Sequence, residues 1–370
     1  MKRIAVIPGD GIGHEVIAEG MRVLDAISEM SSFSFEATEY DIGSERYLRD
    51  GTLVSEEEFD ELEDMDAIYF GAIGDPRVKP GILEKGVLLT MRARFDQYIN
   101  LRPVKSWHPY VPLKQHFDFD IHFLRENTED FYIGAGGKLT PEKMKQKMTV
   151  RRGMYTLDLK LKGEAEPEDE FGFEIGILSR KGIERFAEYS FDYAKEQGHD
   201  KVTLVDKANV CSSIYGMQRE IFQEKADDKD MGLDFMYVDA MAMAMLVRPH
   251  TFGTVAVPNL FGDILTDLGA QLGGGLGMGA SGNINPSGVS MFEPIHGSAP
   301  DIAGQGKANP FATFMAARMM LDQLGHKVEG DMLEQVLVKS LDDGATTPDL
   351  GGALKTSRVT DYVVEQLRCL

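Results

Sequence analysis

A chain of 370 residues with 43% hydrophobic and 27% charged side chains can bury a sizeable core, in two domains or one large unit, and excludes a disordered or fibrous protein. Its 60 acidic against 39 basic residues give a net charge of −21, which argues against nucleic acid or an anionic membrane as partner, since both need a basic face. No apolar run approaches the roughly 20 residues that span a bilayer, and Cys211 and Cys369 give no disulfide framework, so a cytoplasmic protein is expected.

The chain opens MKRIAVIPGDGIG, a strand at Ile4–Ile7 and then a turn, not a signal peptide. The glycines from Gly9 to Gly13 lack the G-x-G-x-x-G spacing of a dinucleotide fingerprint. An amphipathic helix is expected over Glu15–Met30 and a strand over Ala67–Ala72. Arg92 and Arg102 follow, ten apart in LLTMRARFDQYINLRPV. After a strand at Asp120–Leu124, Arg125 opens RENTEDFY. Arginine forks match carboxylates in bidentate fashion, and three together could hold a dicarboxylate, although each alone reads as a surface residue. So acidic a chain must build a local positive pocket for such a substrate. Tyr132 alone reads as a core aromatic; beside a lysine it can exchange protons.

From Gly134 to Glu174 the pattern breaks, with KMKQKMTVRR followed by GEAEPEDE. Two readings stand: a disordered surface insertion, or an arm that clasps a second subunit with TVRRGMYTLDLK as strand. A strand at Phe173–Leu178, a helix at Ile183–Gln197 and a strand at Val202–Val205 come next. Lys207 stands just beyond that strand, at the end where α/β sites form, and near cations it could act as a base.

A strand at Thr254–Val257 leads into VPNLFGDILTDLGAQLGGGLG. Asp263 and Asp267, four apart and the sole charges in that stretch, fall on one face of a helix about a turn apart. Two anions so close require a partner. No Lys or Arg is near in sequence, so Mg2+ or Mn2+ is the candidate, against a solvated helix face. Gly273–Gly282 reads as a loop or hinge. In EPIHGSAPDIAGQGKANP, small residues would let backbone amides approach a ligand, and Asp301 could accept from ribose hydroxyls while repelling a 2′-phosphate. Strands alternating with helices indicate an α/β architecture with much parallel sheet.

Taken in order, IPGDGIG, NLRP, RENTE, DKANV, NLFGDILTDLG and EPIHGSAPDIAG with its following ANP resemble the β-decarboxylating dehydrogenases, the family of isocitrate and isopropylmalate dehydrogenases, over nearly the whole chain. The resemblance implies that family's two-domain α/β fold with a central mixed sheet, not a classical Rossmann fold. A cofactor-binding domain would take residues 1–98 and 274–370, and a substrate and dimerisation domain residues 99–273, with the clasp-like arm at about 134–174. The resemblance also implies NAD, bound by Glu293, His296, Gly297, Ser298, Ala299, Asp301 and Asn309, because NADP-dependent members carry Lys-Tyr where this chain has Asp301-Ile302.

By the same resemblance Arg92, Arg102 and Arg125 hold a malate-type dicarboxylate, Tyr132 and Lys207 are the catalytic pair, and Asp239, Asp263 and Asp267 are ligands of Mg2+ or Mn2+. In the family the lysine and the first of these aspartates come from the other subunit, so a homodimer with shared active sites is implied. The implied reaction passes the C2 hydroxyl proton to Lys207 and the hydride to NAD, releases CO2, and takes a proton at carbon from Tyr132.

Members differ just before Arg92. Leu88 and Leu89 match the apolar wall of isopropylmalate enzymes, whereas isocitrate enzymes have Ser and Asn at the positions of Gly86 and Leu88. A substrate carboxylate against Leu88 would be poorly solvated. Lys85 departs from the Glu common in isopropylmalate enzymes. Tartrate and D-malate enzymes also keep two leucines and are the alternative, though they usually have Trp where Lys85 stands. A non-catalytic regulatory paralogue is disfavoured because Tyr132, Lys207 and the aspartates are all retained.

Overall fold

A computed structural model describes residues 1–107, 109–113, 117–166 and 168–370. Its strands are Lys2–Gly9 (β1), Phe35–Glu39 (β2), Ala67–Ala72 (β3), Ile99–Lys105 (β4), Asp120–Glu126 (β5), Gly136–Leu139 (β6), Lys145–Arg152 (β7), Tyr155–Lys162 (β8), Phe171–Glu174 (β9), Lys201–Asp206 (β10), Gly232–Tyr237 (β11), Thr254–Val257 (β12), Ala280–Ile284 (β13) and Ser290–Pro294 (β14). The α-helices are Ile12–Met30 (α1), Ser44–Asp50 (α2), Glu56–Glu63 (α3), Thr90–Arg94 (α4), Arg180–Glu196 (α5), Ser212–Lys229 (α6), Val238–Val247 (α7), Asn259–Leu272 (α8), Phe311–Gln323 (α9), Lys327–Asp342 (α10) and Thr356–Leu367 (α11). Ten of the strands make up a mixed sheet, and the chain divides into two compact units. This is a two-unit α/β architecture with a central mixed sheet, as the resemblance implies.

The first unit comprises Met1–Gln97, Leu101–Asp120 and Asp267–Leu370. In it β1 pairs in parallel with β2 and β3, β3 pairs in parallel with β14, and the antiparallel β13–β14 hairpin makes the sheet mixed. Ile4, Ala5, Ile7 and all of β3 are buried, as strands covered on both faces require. The second unit comprises Tyr98–Asn100 and Ile121–Thr266, and its strands β11-β10-β12-β5 are all parallel. Parallel strands need crossovers, which α5 and α6 help to supply, and all four strands run in the same direction. The C-terminal ends of β5, β10, β11 and β12 therefore share one edge.

Residues 101–120 belong to the first unit, not to a continuous 99–273 segment as expected. Ser106 N donates to Phe119 O at 2.9 Å to close this excursion, Lys105 pairs with Glu334 on α10, and Tyr110 donates to Leu341 O. The later boundary falls at Asp267, inside α8. The strand expected at Phe173–Leu178 is shorter and earlier: β9 is Phe171–Glu174, and Ile177 makes only an isolated bridge to Asp130 before Ser179 caps α5. The glycine-rich stretch is loop only in part, since β13 begins at Ala280.

The segment from Gly134 to Glu174 is ordered as two antiparallel ribbons, β6 with β9 and β7 with β8, and Pro167 within it lies outside the described residues. One face of the ribbon packs Met148, Val150, Tyr155, Leu157 and Leu159 with Ile133 and Ile177.

Candidate active site

At the shared strand edge of the second unit, β5 ends on Arg125 and Glu126, β10 leads to Lys207, β11 leads to Asp239 on α7, and β12 leads to α8 with Asp263. The strand order predicts the pairs: neighbours β5 and β12 bring Arg125 to Asp263, and neighbours β10 and β11 bring Lys207 to Asp239. Arg125 is 1% exposed, with its stem against Gly262, where a Cβ would stand 2.6 Å from Arg125 Cγ. Arg125 Nη1 donates to Asp263 Oδ1 at 2.6 Å, and Tyr132 Oη donates to Asp263 Oδ2 at 2.7 Å. The Tyr132 ring lies 5.2 Å from the guanidinium carbon. So Asp263 has a partner that local sequence conceals: an arginine 138 residues earlier.

Lys207 Nζ sits 2.5 Å from Asp239 Oδ1, and this contact holds the exposed Asp239 carboxyl below the usual carboxylate range. Among the described residues no three His, Cys, Asp or Glu side chains gather to hold a metal. Asp263 and Asp267 on α8 offer hard oxygen donors of the kind Mg2+ or Mn2+ prefers, and both carboxylates reach solvent. The donor chemistry fits a divalent cation that takes its remaining ligands from outside this set.

In the first unit, Asp267 Oδ1 lies 3.6 Å from Arg102 Nη1. Arg92 Nη2 lies 3.3 Å from Glu293 Oε1, which also accepts from Asn283 Nδ2 at 2.7 Å. Glu293 thus faces Arg92 in a buried network. Arg92 and Arg102 are 7% and 8% exposed, so neither is the surface residue that each would be in isolation. Leu88 and Leu89 lie in a π-helical turn, Glu84–Leu89, directly before α4. Val87 and Met91 face the core, Leu88 packs beside them, and both leucines keep part of their surface open.

The C-terminal ends of β1, β3 and β14 also share an edge, and the loop after β14 carries the remaining candidates. Ile12 N donates to Ser298 O at 2.8 Å, and Asp10 accepts from Ser44 N, Ser44 Oγ and Gly74 N. Gly11, at φ 57°, has room for no Cβ: it would stand 2.0 Å from Ser298 O. Gly11 therefore serves backbone packing against this loop, whereas Gly9 and Gly13 fit against Ala72 at the end of β3. Ala299 holds φ 38°, a strained value for a residue with a Cβ. Asp301 is exposed and Gly297 opens to space. Asn309 is buried, donates to Asp349 Oδ2 at 2.9 Å, and packs under Gly277.

Burial pushes the His296 imidazole below its usual 6.5, keeping it neutral. With its Nδ1 3.1 Å from Gly297 O, the shielded Nε2 is left as an acceptor with no hydrogen-bond partner. The loop thus offers an acceptor suited to a ligand with hydroxyl or amino donors.

Sequence reasoning missed the acids of RENTED. Glu126 accepts from Thr128 N, Thr128 Oγ1 and Glu129 N, while Glu129 accepts from Ser179 N and Oγ at the start of α5. Both are buried, and burial, then Glu129, pushes the Glu126 carboxyl from 4.5 up to about 7. A folded-state value above the unfolded one means that this group's contribution is fully present below about 4.5 and is lost as pH rises through about 7. Glu126→Gln should remove that slope, on the order of 3 kcal/mol between those limits. Denaturant midpoints measured from pH 5 to 8 check it; an unchanged slope in the variant contradicts it. Asn259, buried at the start of α8, was also missed; its position before an apolar helical run was the available signal.

The sequence model of a family described as isocitrate/isopropylmalate dehydrogenase matches residues 3–363. The chain is similar to the 3-isopropylmalate dehydrogenase of Thermobifida fusca, 38% identical over 372 residues, which covers 99% of this chain and 97% of the other. It is 41% identical to that of Frankia casuarinae over 348 residues, 93% of each chain. Among solved structures, the isocitrate dehydrogenase of Methylococcus capsulatus matches with a TM-score of 0.85 at 31% identity, over 100% of both chains. The β-decarboxylating dehydrogenase of Thermococcus kodakarensis matches with a TM-score of 0.76 at 30% identity, over 100% of this chain and 97% of the other.

Proposed function

Because the chain belongs to the isocitrate/isopropylmalate dehydrogenase family of β-decarboxylating dehydrogenases, we propose that it converts (2R,3S)-3-isopropylmalate and NAD to 2-oxo-4-methylpentanoate, CO2 and NADH. The substrate reading is carried by Leu88 and Leu89, two half-open apolar side chains on the turn before buried Arg92. An isopropyl group gains from that wall, whereas a third carboxylate would be desolvated against it.

Arg92, Arg102 and Arg125, all buried, hold the two carboxylates through their guanidinium forks. When bound, NAD supplies the hydride acceptor, and a divalent cation, Mg2+ or Mn2+ on Asp239, Asp263 and Asp267, supplies charge that polarises the substrate's C2 oxygen. Lys207, contributed by a second copy of the chain, takes the hydroxyl proton. Tyr132 returns a proton to carbon after CO2 departs. The first unit is the cofactor-binding part, and Glu293, His296, Gly297, Ser298, Ala299, Asp301 and Asn309 are its cofactor residues.

Homodimer formation is supported by exposed Met243, Leu246 and Val247 on α7 and Ile264 on α8, apolar side chains that a second copy would cover. No helix among the described residues is long and apolar enough to cross a membrane.

Initial rates with NAD and 3-isopropylmalate, D-malate, tartrate and isocitrate in parallel test the substrate. Isopropylmalate should give the highest kcat/KM; a higher value for D-malate or tartrate reverses the assignment. For the cofactor, Asp301→Lys with Ile302→Tyr should move the NAD/NADP preference towards NADP, because it replaces an anion that repels the 2′-phosphate with a cation. An unchanged ratio of kcat/KM for the two cofactors contradicts the role of that loop.

A further inference from the structure

We propose that Asn259 is a positioning residue for this reaction, fixing the plane of the Arg125 guanidinium and so the direction in which it meets the dicarboxylate. The proposal rests on the reading of Arg125 as a substrate arginine. Asn259 Oδ1 accepts from Arg125 Nη2 at 2.8 Å and from Nε at 3.1 Å, and the Asn259 carbonyl accepts from Nε at 2.9 Å. Asn259 Nδ2 donates to Glu129 O at 3.3 Å, which settles the orientation of the amide with its oxygen towards the arginine. The Nε–Nη2 edge of the fork is thereby held by Asn259, and Nη1 is the end turned to Asp263, whose other oxygen receives the Tyr132 hydroxyl. Asn259 and Arg125 are each 1% exposed, so the arrangement is set in a dry environment before any ligand arrives.

The residue type matters as much as its place. A carboxylate at this position would hold the fork equally well but would set a second anion on a guanidinium that Asp263 already pairs with, weakening further its pull on an anionic substrate. A neutral acceptor orients the guanidinium without adding that charge. A residue that merely capped α8 would need neither the double contact to Arg125 nor the neutrality.

A double-mutant cycle on the full-length enzyme tests this, with dissociation constants of 3-isopropylmalate and of D-malate measured by calorimetry in Mg2+ without NAD, and KM measured for substrate and NAD. Asn259→Ala should weaken binding of both acids by about 10- to 100-fold while the KM for NAD moves less than about twofold. In an Arg125→Gln background the same replacement should cost less than about twofold, because the residue acts through the arginine. Asn259→Asp, which retains the acceptor, should not restore wild-type affinity. Full additivity with Arg125→Gln, an equal rise in the KM for NAD, or wild-type affinity in Asn259→Asp each overturns the proposal. If Arg125→Gln alone leaves binding of both acids unchanged, the reading of Arg125 fails first and the positioning role falls with it.

Discussion

Asp263→Asn is expected to abolish cation-dependent turnover, by about a thousandfold or more, in a protein that still folds. The carboxylate lies at the centre of the second unit's cluster, with one oxygen on Arg125 and the other on Tyr132. An amide of the same shape offers one acceptor oxygen, carries no charge for a divalent cation, and turns an NH2 towards either the guanidinium or the tyrosine. Arg125 is buried and loses its ionic partner, which should cost about 1–3 kcal/mol, less than the ~5–15 kcal/mol that holds a typical domain together. Asn259 still holds the other edge of the fork. The variant should therefore melt cooperatively at a somewhat lower temperature and lose the thermal shift that Mg2+ or Mn2+ with substrate gives the wild type. Wild-type activity that survives EDTA, or a variant that turns over normally, would remove the cation from Asp263.

Lys207→Met should lower kcat by about 10²- to 10⁴-fold through loss of the base, with little change in substrate KM. Its residual rate should climb with pH as solvent hydroxide substitutes for the amine. The thermal midpoint should scarcely move, since the contact it loses is with an exposed carboxylate that water solvates readily. The two replacements thus differ in kind: one damages both stability and chemistry, the other chemistry alone. A Lys207→Met enzyme with wild-type kcat would exclude the lysine as the base.

The strands that were legible were the buried parallel ones. Ala67–Ala72 and Thr254–Val257 match β3 and β12 to the residue because strands covered on both faces are unbroken apolar runs. The β13–β14 hairpin was not legible: ASGNI and SMFEP are rich in Gly, Ser, Asn and Pro, yet every residue in both is buried. The strand near Phe173 was misplaced because the apolar alternation continues through Ile175 and Ile177 after the pairing with β6 has ended. For the site, spacing alone put Asp263 and Asp267 on one helix, and α8 bears that out. Spacing could not reveal that arginines from β4 and β5 approach them, because that depends on strand order. Asn259 and Glu126 stayed hidden for the same reason: a buried polar residue is defined by partners that the sequence does not name.

The wide turn at Glu84–Leu89 makes length, and not only residue identity, a variable of the proposed substrate pocket. A π-helical turn accommodates one residue more than an α-helical turn would. Losing that residue would rotate everything N-terminal to it by roughly 100° about the helix axis relative to Arg92. Lys85 would then leave its present bearing without a single side chain being exchanged. A one-residue deletion or insertion here would therefore alter what this turn presents beside Arg92 while leaving Arg92, Arg102 and Arg125 themselves unchanged.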